Sequence, residues 1–102
     1  DDMFKVGGLW VSPMEIEEVL RTHDSVVDCA VVGHYDKAGL IKPRAFVCLY
    51  NEIEPSDELF EQLIKLCART LEVNKRPRWL EFVDELPRTS TGKLQRFKLR
   101  EQ

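Results

Sequence analysis

Val26-Val27-Asp28-Cys29-Ala30-Val31-Val32 is apolar on both of its alternating faces except at Asp28. A strand wet on one side alternates apolar with polar residues, whereas a strand covered on both sides has no need to, so this run reads as an interior strand with helices over it. Arg44-Ala45-Phe46-Val47-Cys48-Leu49-Tyr50 has the same character and predicts a second strand. Between them Gly33-His34-Tyr35-Asp36-Lys37-Ala38-Gly39 breaks the pattern as a loop, and residues 51–55 turn the chain after the second run. His34 has no second His or Cys at ligand spacing and reads as a loop histidine.

Helical periodicity brackets these strands. Downstream, Ser56 is a helix cap with Asp57 and Glu58 in the first turn, where the helix dipole favours acids. Leu59, Leu63, Cys67 and Leu71 then recur every four residues, widened by Phe60 and Ile64, so this helix lies on the sheet. Upstream, Ser12-Pro13-Met14-Glu15 reads as a helix start: Ser12 the cap, Pro13 the first helical residue, Glu15 closing a capping box, Val11 and Ile16 stapling it. Ile16, Val19 and Leu20 form its buried stripe, with Glu15, Glu17 and Glu18 a solvated face. Before it, Gly7-Gly8 between Lys5-Val6 and Leu9-Trp10-Val11 predicts a tight hairpin, and Trp10 must find a surface to cover.

A further strand is expected over 79–83, followed by a basic tail in which Arg96, Lys98 and Arg100 alternate with Phe97 and Leu99 as the first turns of a helix. The order is hairpin, helix, strand, strand, helix, strand, tail. That is a small α+β domain: a two-stranded hairpin, then a roughly three-stranded sheet packed against helices.

The 102 residues suffice for one small domain with its own core and are few for an enzyme that must enclose two or three substrates. Lys+Arg 15 against Asp+Glu 18 gives a net charge of -3, so no global field draws the chain to nucleic acid or anionic lipid, and any basic function must be local. Cys29, Cys48 and Cys67 are odd in number, widely spaced and set among apolar residues, which predicts buried reduced thiols in a cytoplasmic protein and neither a disulfide frame nor a metal site. No apolar run has the length of a membrane span, and the opening Asp1-Asp2-Met3-Phe4-Lys5 is no signal peptide. Beginning on two acids without an initiator Met, the chain reads as a piece of something longer.

Two stretches carry chemistry. Arg88-Thr89-Ser90-Thr91-Gly92-Lys93-Leu94-Gln95-Arg96 sets one lysine on a turn of small hydroxylated residues and glycine. Gly92 opens backbone angles closed to other residues, and Lys93 is a mobile cation with three donors, suited to phosphate or carboxylate oxygens. It is not a Walker phosphate loop, which would need an earlier glycine and a Ser or Thr where Leu94 stands. Asn74-Lys75-Arg76-Pro77-Arg78 puts three cations in four positions beside a stiffening proline, either a solvated loop or a grip for a phosphate.

Asp1 to Gly8 with the following Ser12-Pro13-Met14-Glu15-Ile16-Glu17, together with Leu86-Pro87-Arg88-Thr89-Ser90-Thr91-Gly92-Lys93, resembles the hinge-and-hairpin and terminal lysine motifs of the adenylate-forming superfamily. The resemblance covers residues 1–102 as the C-terminal mobile domain of that family and is nearest to aromatic acid, benzoate-type CoA ligases. It implies a reaction in two halves: a carboxylate attacks the α-phosphate of ATP, then the thiol of CoA displaces AMP. By the same resemblance Lys93 is the catalytic lysine of the first half and Asp1 the hinge. After the swing Gly7 and Gly8 would line the path of CoA, and Arg76 and Arg78 would meet its nucleotide end. ATP and CoA are implied as substrates, Mg2+ as a companion of ATP, and a larger N-terminal domain as the partner that supplies the ATP and acyl pockets, so this chain alone is expected to be inactive. A lysine acyltransferase or deacylase acting on Lys93 is a further implied partner.

Two other readings stay open. The chain could be a stand-alone binding or regulatory module, or the lid of a relative that passes acyl groups to a carrier protein. Nucleic-acid binding through residues 88–100 is disfavoured by the short basic run and the negative net charge.

Overall fold

The computed structural model describes residues 2–101. A two-stranded hairpin, β1 (Phe4–Val6) and β2 (Leu9–Val11), leads into helix α1 (Pro13–Arg21). Strands β3 (Val26–Tyr35) and β4 (Ile41–Leu49) follow, then helix α2 (Asp57–Thr70), a 3-10 turn (Val73–Lys75), strand β5 (Trp79–Phe82) and a short helix α3 (Arg96–Arg100). β4 is central: β3 pairs with it antiparallel, Val31 opposite Ala45, and β5 parallel, Leu80 opposite Ala45. The expected α+β architecture, hairpin plus three-stranded sheet under helices, is the one found.

Why β3 and β4 are apolar on both faces is now plain. Cys29, Val31, Ala45 and Val47 meet Ile16 and Leu20 of α1, Leu59, Leu63 and Cys67 of α2, and Val6 and Val11 of the hairpin. Ala30, Val32, Phe46 and Cys48 face the other way, onto Leu86 and Leu99 of the C-terminal segment. The sheet is thus the middle of three layers. The three cysteines are buried free thiols, and burial pushes Cys29 up to about 12 and Cys67 to about 11.

Several local readings are corrected. Gly33 is no loop residue: β3 continues through it to Tyr35, and a Cβ there would lie 2.9 Å from Cγ of Phe4, so Gly33 admits the hairpin against the strand. The turn is shorter and sits around Asp36, whose carboxylate accepts from the amides of Ala38 and Leu40, both at 2.9 Å. β4 correspondingly starts at Ile41, and Leu71 caps α2 from just outside it. Ser56 accepts from the Leu59 amide as expected, but Ser12 makes no side-chain cap, and Glu15 turns instead to Lys75 at 3.1 Å.

Glu17 is the largest departure. It is only 2% exposed, not part of a solvated face. Its carboxylate accepts from the Val31 amide at 2.8 Å, while Arg21 Nη2 donates to the Cys29 carbonyl at 3.4 Å. β3 is an edge strand, so two α1 side chains occupy the outward backbone groups that would otherwise invite another strand. No helix among the described residues is long and apolar enough to cross a membrane.

Candidate functional site

The lysine turn begins where Arg88 and Leu94 form an isolated antiparallel bridge. Inside it the Thr89 amide donates to the Lys93 carbonyl and the Gly92 amide to the Thr89 carbonyl, each at 2.9 Å. Gly92 has φ +91, the left-handed conformation that closes the turn and that a side chain would strain. Thr89 Oγ1 accepts from the Lys93 amide at 3.0 Å and lies 3.0 Å from Thr91 Oγ1. The run of Thr and Ser is therefore a hydrogen-bonded frame and not a slack loop. Lys93 itself is exposed and has no ion-pair partner among the described residues.

Charged groups tie this turn to the rest of the fold. Arg88 donates through Nη1 to the Gly92 carbonyl at 2.8 Å and through Nη2 to Asp28 of β3 at 2.7 Å. On the other side Arg96, three residues past Lys93, forms a bidentate pair with buried Glu17, 2.7 Å at the shortest, and reaches Asp2 at 3.1 Å. Arg100 meets the other oxygen of Asp2 at 2.7 Å. Asp2, Lys93, Arg96 and Phe97 border one shallow depression, so the start of the described chain and the lysine turn share a surface. Asp1, the expected hinge, lies outside the described residues.

The hairpin is a second surface. Gly7 and Gly8 have φ +58 and +82, the pair of positive angles that a two-residue turn requires. Nothing lies within 4 Å of a Cβ built on either, so their side-chain positions open to solvent. Gly7 lines a shallow pocket with Lys42, Asn74 and Arg76, which brings one expected CoA-contact glycine beside one expected CoA-contact arginine. Trp10 is 60% exposed, and its ring meets its cross-strand neighbour Lys5, whose Nζ lies 5.0 Å from the ring centre.

The three cations after α2 part company. Lys75 bonds Glu15 and Glu72, which together hold its ammonium above the usual lysine range. Arg76 Nε donates to the Leu71 carbonyl at 3.0 Å. Arg78 remains exposed, 5.9 Å from the Trp79 ring and 4.0 Å from Asp36, whose carboxyl the Leu40 amide holds below its usual range. Among the described residues no cluster of His, Cys, Asp or Glu converges as a metal site.

The AMP-binding enzyme C-terminal domain matches residues 15–93, most of the chain. The chain belongs to that family. This AMP-binding C-terminal domain is 49% identical to benzoate-CoA ligase of Thauera aromatica, over 98% of this chain and 19% of that protein. It is 48% identical to 4-hydroxybenzoate-CoA/benzoate-CoA ligase of Rhodopseudomonas palustris, over 99% of this chain and again 19% of the relative. A solved anthranilate CoA ligase in complex with anthranoyl-AMP superposes with a TM-score of 0.96 at 54% identity, over 99% of this chain and 20% of that one. The chain thus spans about one-fifth of the length of the relatives it matches.

Reading the sequence alone found the lysine turn of this AMP-binding C-terminal domain but not its supports. In sequence Asp28 is an odd residue in a strand, Glu17 reads as a solvated acid and Arg96 as a tail cation. The available signal was Pro13, Ile16, Glu17 and Leu20, whose helical spacing puts Glu17 on the buried stripe.

Proposed function

We propose that this domain serves an AMP-forming CoA ligase acting on benzoate or a related aromatic carboxylic acid, supplying Lys93 to the adenylation half-reaction. The carboxylate oxygen attacks the α-phosphorus of ATP, the bond to the β-phosphate breaks and pyrophosphate leaves. In the second half the sulfur of CoA attacks the acyl carbon, AMP leaves and the thiol proton is released. Lys93 would donate to the carboxylate and phosphate oxygens as charge shifts between them, a role that its exposure, its free cation and the rigid turn under it suit.

The observation that carries the reading is a framed but unpaired lysine in a chain half identical to benzoate-CoA ligases. The layering of the fold supports an exchange of surfaces. The lysine turn is continuous with the core cluster on one sheet face, and the Gly7-Gly8 hairpin is anchored in the cluster on the other. A rigid domain built this way would present the two in turn by rotating about Asp1. Gly7 and Gly8 would then leave room for the pantetheine arm, with Arg78, and Arg76 beside Gly7, meeting the phosphates of CoA. The relatives' names favour CoA over a carrier protein as acceptor.

The ATP and acyl pockets would come from an N-terminal domain, so the 102 residues alone should form no acyl-adenylate from ATP and benzoate. Acylation of Lys93 by a lysine acyltransferase would remove the charge the step uses, and a deacylase would restore it. The buried thiols suit the reducing cytoplasm. The deciding experiment is Lys93→Ala in the full-length enzyme. Adenylation should fall by about 100-fold to 1,000-fold, the loss typical of one transition-state donor, while thioester formation from supplied acyl-adenylate is spared. Equal loss of both halves would refute the assignment.

A further inference from the structure

We propose that Asp28, acting through Arg88, is a positioning residue for Lys93; the proposal rests on the assignment of Lys93 to adenylation. The Gly92 carbonyl and the Lys93 amide belong to one planar peptide unit, so whatever holds both ends of that plane places the Lys93 Cα, and the Thr89 amide, donating to the Lys93 carbonyl at 2.9 Å, restrains the remaining rotation that aims its side chain. Both ends are held. Arg88 Nη1 grips the carbonyl at 2.8 Å, and Thr89 Oγ1 accepts from the amide at 3.0 Å.

Thr89 belongs to the turn and moves with it, whereas Arg88 reaches outside. Its second nitrogen, Nη2, meets Asp28 Oδ2 at 2.7 Å. Asp28 stands on β3, between the two buried layers, and its other oxygen accepts from the Cys29 amide at 2.9 Å with Arg21 Nη2 3.7 Å away. The carboxylate is therefore oriented before Arg88 arrives. A line of contacts runs from the sheet through Asp28 and the guanidinium to the peptide that carries Lys93.

Fold stability does not explain this arrangement. The Asp28 and Arg88 side chains are 27% and 36% exposed, and partly exposed ion pairs contribute little to folding. Asp28 is also the one polar residue of an otherwise apolar strand run. A guanidinium is needed because its planar fork bonds two acceptors at once, which the single ammonium of a lysine does not reproduce in the same geometry.

The test uses the full-length enzyme with Asp28→Asn, Arg88→Lys and Lys93→Ala, each assayed for the two halves separately. Misplacement of a reacting group by about 1 Å can lower a rate on the order of 100-fold, so Asp28→Asn and Arg88→Lys should slow adenylation by roughly 10-fold to 100-fold. Thioester formation from supplied acyl-adenylate and the melting temperature should stay at wild-type values, and amide hydrogen exchange should quicken in the peptide containing Lys93. Wild-type adenylation in both variants while Lys93→Ala is dead would overturn the positioning alone. Intact adenylation in Lys93→Ala would remove the site assignment and this proposal with it. Parallel loss of both halves with a lowered melting temperature would show a structural role and also overturn it. Should Arg88→Lys fold poorly, Asp28→Asn, which removes one charge and no volume, decides on the same measures.

Discussion

Glu17 and Arg96 are 79 residues apart in sequence and share a bidentate ion pair, with Nη2 2.7 and 2.9 Å from the two carboxylate oxygens and Nε at 3.2 Å. Their side chains are 2% and 12% exposed. Removing Glu17 strips Arg96 of its bidentate partner, leaving only Asp2 at 3.1 Å, and leaves the Val31 amide without its acceptor; breaking a buried pair in this way costs about 3–5 kcal/mol. Glu17→Ala should therefore lower the melting temperature of the domain by roughly 15 °C or more, since about 1 kcal/mol moves a domain of this size by 4–8 °C. Replacing both, Glu17→Met with Arg96→Leu, should recover part of that loss. A Glu17→Ala melting curve that overlays the wild type would sink the assignment of this pair to the core.

Gly8 separates backbone strain from chemistry. Its φ of +82 means any side chain costs about 1–2 kcal/mol in backbone energy, yet a Cβ there meets nothing within 4 Å. Gly8→Leu in the full-length enzyme should therefore fold, with a slightly lower melting temperature. It should slow thioester formation from supplied acyl-adenylate while leaving adenylation near the wild-type rate. If the two halves slow equally, the hairpin does not line the CoA path.

The thiols give a pH dependence with a definite sign. Burial pushes Cys29 up to about 12 and Cys67 to about 11 in the folded domain, from the ordinary thiol value of 9.0 that unfolding restores. Below pH 9 both states keep their protons and these groups add no slope. Above it the unfolded chain releases protons that the folded one retains, so stability must fall as pH rises from 9 towards 11–12. At pH 8 a thiol titrating near 11 is thiolate to the extent of about one part in a thousand, so a thiol reagent should label Cys67 only as the domain opens. Denaturant midpoints that hold steady from pH 8 to pH 11, or rapid labelling of the native fold, would contradict this.

What the sequence disclosed divides by range. Both-faced apolar runs, the four-residue stripe of α2 and the Gly7-Gly8 turn are local signals, and each element is present, though β3 runs on to Tyr35, β4 starts at Ile41 and Leu71 lies just outside α2. Gly33 was misread because its purpose is to admit Phe4, a contact across 29 positions that no neighbouring residue announces. Of the acids read as a solvated face, Glu15 is exposed although it meets Lys75, whereas Glu17 is buried on Arg96, a partner fixed only when the chain has closed. The Lys93 turn was visible as composition. That it is a hydrogen-bonded frame, held by Arg88 to β3, depended on Asp28, 60 residues earlier.

The pairing of residues so distant has a meaning for how the chain is made. α1 and β3 leave the ribosome long before Arg96, and at ordinary rates of synthesis of about 5–20 residues per second the interval of 79 residues lasts roughly 4–16 s. Throughout it, closing the helix on the strand would shut in a carboxylate whose counter-ion does not yet exist. The segment that carries the lysine is also the one that brings buried Glu17 its counter-ion.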